Sequence, residues 1–308
     1  MEKKISINSL YYEWWKNIDK FIFSLIIILF ATGLFFSLVS TSLLVSDKLD
    51  TNDYAFFFKH LSFVFLGIII IFIFSSIDKE KLFKISPAIF LFSLISLFLV
   101  PFIGVEVNSA QRWIDLYLLP RFQPIELVKP FLIIFISLIL SSEKYSNIYL
   151  KYLLSFLITL MIALLLAAQP DIGQTLLVFF SWSVLIFISG INIIFLITSS
   201  LVLSIVLYFS INFVPKFSYI KNRILSFFNT ETGTHNAQSE KAIDSITSGG
   251  YFGKGIGEGT LKNRVPEAHT DYIISVISEE FGIVAIILIL LLFLIFIYMV
   301  FKKVNYEK

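Results

Sequence analysis

The amino-acid sequence predicts an all-α polytopic membrane protein with about eight transmembrane helices and one large extracytoplasmic loop. Hydrophobic residues make up 57% of its 308 residues, charged residues only 15%, and the mean hydropathy is +0.87. Soluble domains carry about 25% charged residues, so this chain lies far outside their range. Several uncharged runs also reach the roughly 20 apolar residues that one helical span requires.

The composition excludes several classes of protein. The net charge of +2 is small and dispersed along the loops, which argues against a nucleic-acid partner. The absence of cysteine excludes disulfides, thiolate metal sites and cysteine nucleophiles. The three histidines, His60, His235 and His269, lack the spacing of a zinc site.

The two ends of the chain are expected to lie in the cytoplasm. The first apolar run exceeds a signal-peptide core and lacks a small-residue cleavage site, so it is a retained span. Trp14 and Trp15 precede it as interfacial anchors. Short basic segments mark the cytoplasmic side, and the connector Asp78 to Lys84 is one of them. The other lysines that support this orientation are Lys3, Lys4, Lys16, Lys20, Lys302, Lys303 and Lys308.

The apolar runs divide the chain into spans. Residues 172–215 are uncharged over twice the length of one helix, and the turn residues Ser189 to Asn192 break them into two spans. Residues 152–170 follow a cytoplasmic link that ends at Lys151. The predicted spans are residues 21–46, 55–77, 85–103, 126–142, 152–170, 172–189, 191–214 and 272–301, and the large extracytoplasmic loop covers residues 216–270.

The fourth span contains a pair of opposite charges. Its uncharged run, Pro130 to Ser142, is too short to cross a bilayer of about 30 Å, so the helix must include the preceding turn. That turn carries Glu126 and Lys129, which share one helical face at i, i+3 and can form an ion pair. Ionisable groups within a span are functional candidates. The alternative is a short or re-entrant helix whose charged side chains snorkel to the interface.

The stretch from Ser248 to Glu280 is polar and glycine-rich, and it directly precedes the last apolar run. It contains six of the thirteen glycines but matches neither nucleotide-binding glycine pattern, so nucleotide binding is not expected. A backbone that approaches a ligand closely and a flexible linker both remain open. His269 and Asp271 lie beside Glu267, and a partly desolvated carboxylate at a membrane boundary can serve as a general base. The alternative is a set of solvated loop acids.

Three separated segments together resemble the SEDS family (shape, elongation, division and sporulation). They are RWIDLYLLPRFQPIELVK from Arg112, QPDIGQTLL from Gln169, and the glycine-rich stretch from Ser248 with its PEAHTDYIISVISEEFG block. They occur in the family's order and span essentially the whole chain. The sequence is more similar to the cell-division member of the family than to the elongation member.

The resemblance implies an activity and its partners. Family members are peptidoglycan glycosyltransferases that polymerise lipid II at the outer face of the cytoplasmic membrane, which places this chain in septal cell-wall synthesis. The expected partners are lipid II, a class B penicillin-binding transpeptidase and other divisome membrane proteins, with no nucleic acid. A divalent cation, magnesium or manganese, is a candidate cofactor, and the residues that would hold it are unknown.

The resemblance also assigns residues. The family's essential aspartate falls on Asp271, which is expected to be catalytic. The positions expected to bind substrate are Arg112, Trp113, Gln123, Glu126, Lys129, Gln169, Asp171, Gly249, Gly250, Gly255, Glu267 and His269.

The sequence departs from the family pattern in two places, and other functions also remain open. Position 125 is isoleucine where the family commonly has serine. Family members usually have ten spans, so a chain with eight is expected to be C-terminally truncated. A lipid II flippase or other transporter would need Glu126 and Lys129 but no base at the outer surface. A non-catalytic division scaffold would need neither site.

Overall fold

The structure is a computed structural model of the chain. It describes residues 7–41, 55–107, 110–115, 121–143, 147–169, 171–213, 221, 225, 234–260, 265 and 272–306. Over these residues the regular secondary structure is helical apart from one short antiparallel hairpin. The helices and strands are α1 (Ile7–Asn17), α2 (Lys20–Thr41), α3 (Ala55–Ser75), α4 (Lys79–Ile103), β1 (Val105–Val107), β2 (Ala110–Trp113), α5 (Pro124–Ser141), α6 (Ile148–Ala168), α7 (Ile172–Ile188), α8 (Ile193–Phe213), α9 (Thr234–Ser248) and α10 (Ile273–Tyr306).

The helices confirm the prediction of an all-α polytopic membrane protein. Among the described residues, six helices are long and apolar enough to cross a membrane, namely α2, α3, α4, α5, α6 and α10. Helix α7 and the apolar part of α8, Ile193–Val202, are shorter apolar helices. Residues 42–46 of the first predicted span, residue 170 of the fifth and residue 214 of the seventh lie outside the described residues.

In two predicted connectors, helices extend beyond the apolar runs of their spans. The connector predicted from Asp78 to Lys84 is mostly the first turn and a half of α4, with Asp78 at the N-cap position. Helix α6 likewise begins at Ile148, because the Asn147 side chain caps it by accepting a hydrogen bond from Tyr149 N at 2.9 Å. Charged residues at these ends are good helix formers, so the helix continues where the apolar pattern stops.

The chain forms two compact units. One comprises Met1–Ser76 and Leu225–Lys308, here called the terminal unit, and the other comprises Ile77–Ile224, here called the middle unit. Helix α9 lies within the polar segment of residues 216–270, which has no apolar periodicity from which it could be predicted.

In the terminal unit, α10 packs against α9 and α2, and α2 packs against α3. Phe281 on α10 contacts Phe35 and Phe36 on α2 edge to face, with ring centroids 5.7 and 5.4 Å apart. At the other end of α2, Asp19 accepts hydrogen bonds from Phe21 N and Ile22 N, both at 3.1 Å, and pairs with Lys303 at 3.3 Å. Asp19 therefore both caps α2 and ties its start to the end of α10.

In the middle unit, α5 packs against α4, α6 and α7, and α6 packs against α7. Lipid is as apolar as leucine, so close packing and hydrogen bonds must hold such helices together. Buried small polar residues allow this approach: Ser93 and Ser155 are fully buried, and Trp182 Nε1 donates across helices to Ser155 Oγ at 3.1 Å. The hydrophobic core is formed by Phe90, Leu97, Ile125, Val128, Phe131, Leu132, Ile136, Tyr152, Ile162, Ala163, Leu166, Val178, Phe179, Trp182, Ile186 and Leu196.

Candidate functional site

The long helix α10 is interrupted at Gly282, its tenth residue. The backbone there has φ 78° and ψ 178°, outside the helical region, and a side chain would collide with Tyr251 O. Glycine is therefore required at Gly282 for both conformation and space. The segment that fills the break is Gly249 to Gly255, here called the glycine loop.

The glycine loop replaces the helix's own acceptors just after the break. In a continuous helix, Ile283 N and Val284 N would donate to the carbonyls four residues earlier. Here Ile283 N donates to Gly250 O at 3.0 Å, and Val284 N donates to Tyr251 O at 3.3 Å. Two loop carbonyls thus satisfy the first two donors of the second helical segment.

The loop also supplies the missing donors. The carbonyls that the break releases belong to Glu279 and Glu280. Glu279 O accepts from Lys254 N at 2.9 Å, and Glu280 O accepts from Gly255 N at 3.1 Å. Four backbone groups beside the break therefore have partners in the loop, so the break in α10 and the loop form one hydrogen-bonded unit.

The side chain of Glu279 is the centre of a buried polar network beneath the loop. It is 0% exposed. Its Oε1 accepts from Lys254 Nζ at 3.0 Å and from Thr260 N at 2.9 Å, while Oε2 accepts from Ser245 Oγ at 3.1 Å. A buried carboxylate is tolerated when a cation and hydrogen-bond donors surround it. Glu279 thus joins α9, α10 and the glycine-rich segment.

The packing of the glycine loop determines whether its backbone N–H groups are available to a ligand. The backbone N–H groups of Gly253, Lys254 and Gly255 all donate to protein carbonyls, so they are not presented to a phosphate. The loop is also hydrogen-bonded along its length, which does not fit a flexible linker. Substrate binding by Gly249, Gly250 and Gly255 stays a prediction.

Asp271, His269 and Glu267 lie outside the described residues. Tyr272, immediately before α10, is the next described residue. The catalytic role of Asp271 and the binding roles of its two neighbours therefore stay predictions.

In the middle unit, the predicted ion pair at the start of α5 is confirmed. Lys129 Nζ lies 2.8 Å from Glu126 Oε2, and Glu126 Oε1 also accepts from Gln174 Nε2 on α7 at 3.3 Å. Pro124 occupies the first helical position, where its fixed φ and missing N–H are tolerated. The Glu126 side chain is 53% exposed and that of Lys129 is 21% exposed, so the carboxylate is open to solvent or a ligand.

A second charge pair in the same unit joins the hairpin to the start of α7. Arg112 on β2 lies with its Nε 3.5 Å from Asp171 Oδ2. Asp171 is held in place because it caps α7, with its Oδ1 accepting from Gln174 N at 3.3 Å. The hairpin sets the arginine in position through the Val105 and Trp113 pairing. Gln174 therefore contacts both acids of the two pairs, Asp171 through its backbone and Glu126 through its side chain.

Three other residues predicted to bind substrate lie close in sequence to these charge pairs. Gln169 is buried, and its Nε2 donates to Leu97 O at 3.3 Å, which joins the end of α6 to α4. Gln123 is half-buried at the N-cap position of α5, and Trp113 is half-buried at the end of β2. Their predicted contacts with substrate stay predictions.

Sequence reasoning missed Gln174, Lys254 and Ser245. Gln174 closes the QPDIGQ segment, and its spacing of three from Asp171 is the signal that could have identified it as part of a capped helix start. Lys254 and Ser245 contact Glu279 across long separations in sequence, and no local pattern signals such contacts.

The predicted divalent cation also stays a prediction. Within the described ranges, no three histidine or acidic side chains are grouped so that they could hold a metal ion.

Comparison with known proteins gives the family. Residues 19–307 match the family described as Cell cycle protein, FTSW_RODA_SPOVE. A Haemophilus influenzae protein named "Probable peptidoglycan glycosyltransferase FtsW" is 31% identical over 291 residues, covering 90% of this chain and 72% of its own length. A Caulobacter vibrioides protein of the same name is 27% identical over 277 residues, covering 88% of this chain and 68% of its own length.

Solved structures share the fold. One, described as "Structural coordination of polymerization and crosslinking by a peptidoglycan synthase complex", matches with a TM-score of 0.73 and 24% identity, covering 93% of this chain and 78% of the other. The Rod shape determining protein RodA of Thermus thermophilus matches with a TM-score of 0.63 and 23% identity, covering 94% of this chain and 75% of the other. The resemblance drawn from the sequence is confirmed, and the chain belongs to the SEDS family of FtsW, RodA and SpoVE cell cycle proteins.

Proposed function

We propose that the chain is a peptidoglycan glycosyltransferase that polymerises lipid II into glycan strands during septal cell-wall synthesis. Its family and its FtsW-named relatives support a role in cell-wall synthesis. The observation that carries the proposal is the pair of cations Arg112 and Lys129, each held by a carboxylate beside apolar helices. A lipid-linked pyrophosphate needs apolar helices for its chain and cations for its charge.

In the proposed reaction, Asp271 acts as the general base. It takes the proton from the sugar 4-hydroxyl of the acceptor, and the hydroxyl oxygen then attacks the anomeric carbon of the donor. The new glycosidic bond forms as the bond from that carbon to the pyrophosphate oxygen breaks. General-base assistance of this kind contributes roughly 10² to 10⁴-fold in rate.

The leaving pyrophosphate carries the negative charge that the reaction releases, and Lys129 and Arg112 are the proposed partners for it. Lys129 is a point charge on a flexible stem, whereas the planar Arg112 guanidinium can bind two oxygens together. Among the described residues, Gln174 Oε1 is buried without a hydrogen-bond partner, which makes it a candidate acceptor for a substrate hydroxyl. A magnesium or manganese ion, if bound, would add positive charge at the pyrophosphate.

The proposal extends to location and partner. The multi-pass chain would lie in the cytoplasmic membrane with its N-terminus in the cytoplasm and its active site at the outer face. A class B penicillin-binding transpeptidase is the proposed partner, because a similar fold occurs in a complex described as coordinating polymerization and crosslinking. The other proposed partners are lipid II, as the substrate, and other divisome membrane proteins.

The test is polymerisation of labelled lipid II by the purified chain, compared with its Asp271→Asn variant. Asp244→Asn is the matched control, since Asp244 is an exposed acid in the same polar segment. We expect glycan strands from the wild type and the control, and none from Asp271→Asn.

Strands from Asp271→Asn would overturn its role as the base. Lipid II translocation across vesicles without strand formation by the wild type would favour the flippase instead. Neither activity, with division unaffected by Asp271→Asn and Lys129→Ala in cells, would favour the scaffold.

A further inference from the structure

The glycine loop turns its charge inward and its apolar side chains outward. Lys254 reaches the buried Glu279 carboxylate, whereas Tyr251 is 77% exposed, Phe252 84% and Ile256 63%. A loop in water is expected to show the opposite arrangement. Tyr251 and Phe252 lie in the glycine loop and Ile256 follows it directly; these three residues are here called the loop apolar patch. Backbone hydrogen bonds of Tyr251 O and Gly255 N with α10 tie this segment to the helix.

The patch lies where the apolar part of α10 begins. Tyr251 O accepts from Val284 N, in the first turn after the break. The 19 residues from Ile283 to Phe301 carry no charge, and as a helix they span about 28 Å, close to the hydrocarbon thickness of about 30 Å. Outward-facing apolar side chains such as Ile287 and Leu288 continue along this helix. The loop is therefore at the level of one membrane interface.

Aromatic residues already mark the other end of the same stretch. Lys303 pairs with Asp19, next to helix α1, whose Trp14 packs against Phe72 at 5.0 Å and donates to Ser75 Oγ at 2.7 Å. Tryptophan and tyrosine are enriched at both interfaces of a membrane because their amphipathic rings sit at headgroup level. Aromatic residues thus lie at one end of the α10 span, and the loop apolar patch lies at the other end.

We propose that Tyr251, Phe252 and Ile256 insert into the boundary between lipid headgroups and acyl chains, so that the glycine loop is a membrane anchor. The lipid surface would hold the loop against α10 and so stabilise the break at Gly282. This function is independent of the proposed glycosyl transfer.

The absence of native cysteine makes the anchor directly testable. Phe252→Cys gives one site for a bimane fluorophore, which is reconstituted in phosphatidylcholine vesicles. Bromine atoms near the headgroup end or near the methyl end of the acyl chains quench shallow or deep probes, and iodide quenches probes in water. Lys241→Cys on α9 is the solvent reference, and Leu291→Cys in the middle of α10 is the deep reference; both side chains are exposed.

We expect the label at position 252 to lose most fluorescence with shallow bromine, less with deep bromine and least with iodide. Iodide quenching equal to that of Lys241→Cys would overturn the proposal, because the patch would lie in water. Insensitivity to all three quenchers would also overturn it, because another protein surface would cover the patch. Tyr251→Cys should give the same order as Phe252→Cys, and it replaces that variant if Phe252→Cys does not fold.

Discussion

Two lysine–glutamate pairs in this protein differ in the sequence separation of their members and in the burial of the carboxylate. In the terminal unit, Lys254 and Glu279 are 25 residues apart, and the carboxylate is fully buried with three donors around it. In the middle unit, Glu126 and Lys129 are one helical turn apart, and the carboxylate side chain is 53% exposed. The first pair holds three segments of the fold together around a buried carboxylate, whereas the second leaves its carboxylate accessible to solvent or a ligand.

The difference has an energetic consequence. Removing one member of a buried pair leaves the other charge or its donors without compensation, at a cost of about 3 to 5 kcal/mol. An exposed pair one turn apart contributes only about 0.3 to 0.5 kcal/mol, because water and salt screen it. We therefore expect the buried pair to determine stability and the exposed pair to affect activity more than stability.

The largest effect is expected from Glu279→Ala. The variant leaves Lys254 Nζ, Thr260 N and Ser245 Oγ without their shared acceptor. The free energy of unfolding should fall by about 3 to 5 kcal/mol, measured by denaturant unfolding of the purified protein in detergent.

Its matched control is Glu258→Ala, which removes an exposed glutamate from the same segment. This control should change the unfolding free energy by less than about 0.5 kcal/mol. Equal losses in the two variants would mean that burial of Glu279 does not distinguish it from a surface acid.

A smaller but substantial loss is expected from Gly253→Ala, which separates the loop from the helix break. Gly253 has φ 80°, and a Cβ would collide with Glu280 O. The left-handed backbone alone costs about 1 to 2 kcal/mol for a residue with a side chain, and the collision adds to it. Gly33→Ala on α2 is the control, because its Cβ would meet no atom within 4 Å; it should be neutral or slightly stabilising. A neutral Gly253→Ala would contradict the close packing of the loop.

Sequence reasoning found the exposed pair and missed the buried one for a physical reason. The i, i+3 spacing of Glu126 and Lys129 is a local property of one helix, so it is visible in the sequence. The contact of Lys254 with Glu279 depends on how a loop folds back onto a later helix. The break at Gly282 is equally hidden, since one glycine inside an apolar helical pattern is ordinarily tolerated.

The same distinction applies to the helices. The division between α7 and α8 was visible because Ser189 to Asn192 carry turn residues, and Gly190 adopts φ 87° there. Helices α4 and α6 begin before the predicted spans, because helix propensity continues into polar residues that hydropathy does not mark. In the candidate site, Arg112 and Asp171 were named from resemblance, but their pairing comes from the hairpin and the α7 cap.

The ion pair of Asp19 with Lys303 is an intermediate case, because the Asp19 side chain is 28% exposed and that of Lys303 is 47% exposed. The pKa of its carboxyl lies below the usual range, mainly because Ile22 N donates to it, with Lys303 adding to the effect. A lowered pKa means that the charge stabilises the folded state at neutral pH, and that this contribution is lost as the pH falls below about 4, through the folded pKa.

Asp19→Asn keeps a capping acceptor but removes the charge, so its Tm should be lower than that of the wild type at pH 7. The difference should disappear in acid. Asp19→Ala also removes the cap and should lose about 1 kcal/mol more. Lys303→Met leaves the cap intact, and its deficit should shrink over the same pH range. A pH-independent difference between wild type and Asp19→Asn would contradict the charge-based explanation.

The smallest effect on stability is expected at the exposed pair. Lys129→Met and Glu126→Gln should each lower the free energy of unfolding by less than about 1 kcal/mol, because both groups can be hydrated when the pair is broken. If Lys129 also binds the leaving pyrophosphate, the same Lys129→Met variant should lose most of its lipid II polymerisation, measured as labelled glycan strands. Arg121→Met is the control, since Arg121 belongs to another exposed pair, with Asp115, that the proposed reaction does not use. A large stability loss with Lys129→Met would show that the exposed pair is structural like the buried one. Full stability with unchanged polymerisation would show that the accessible charge has no role in the reaction.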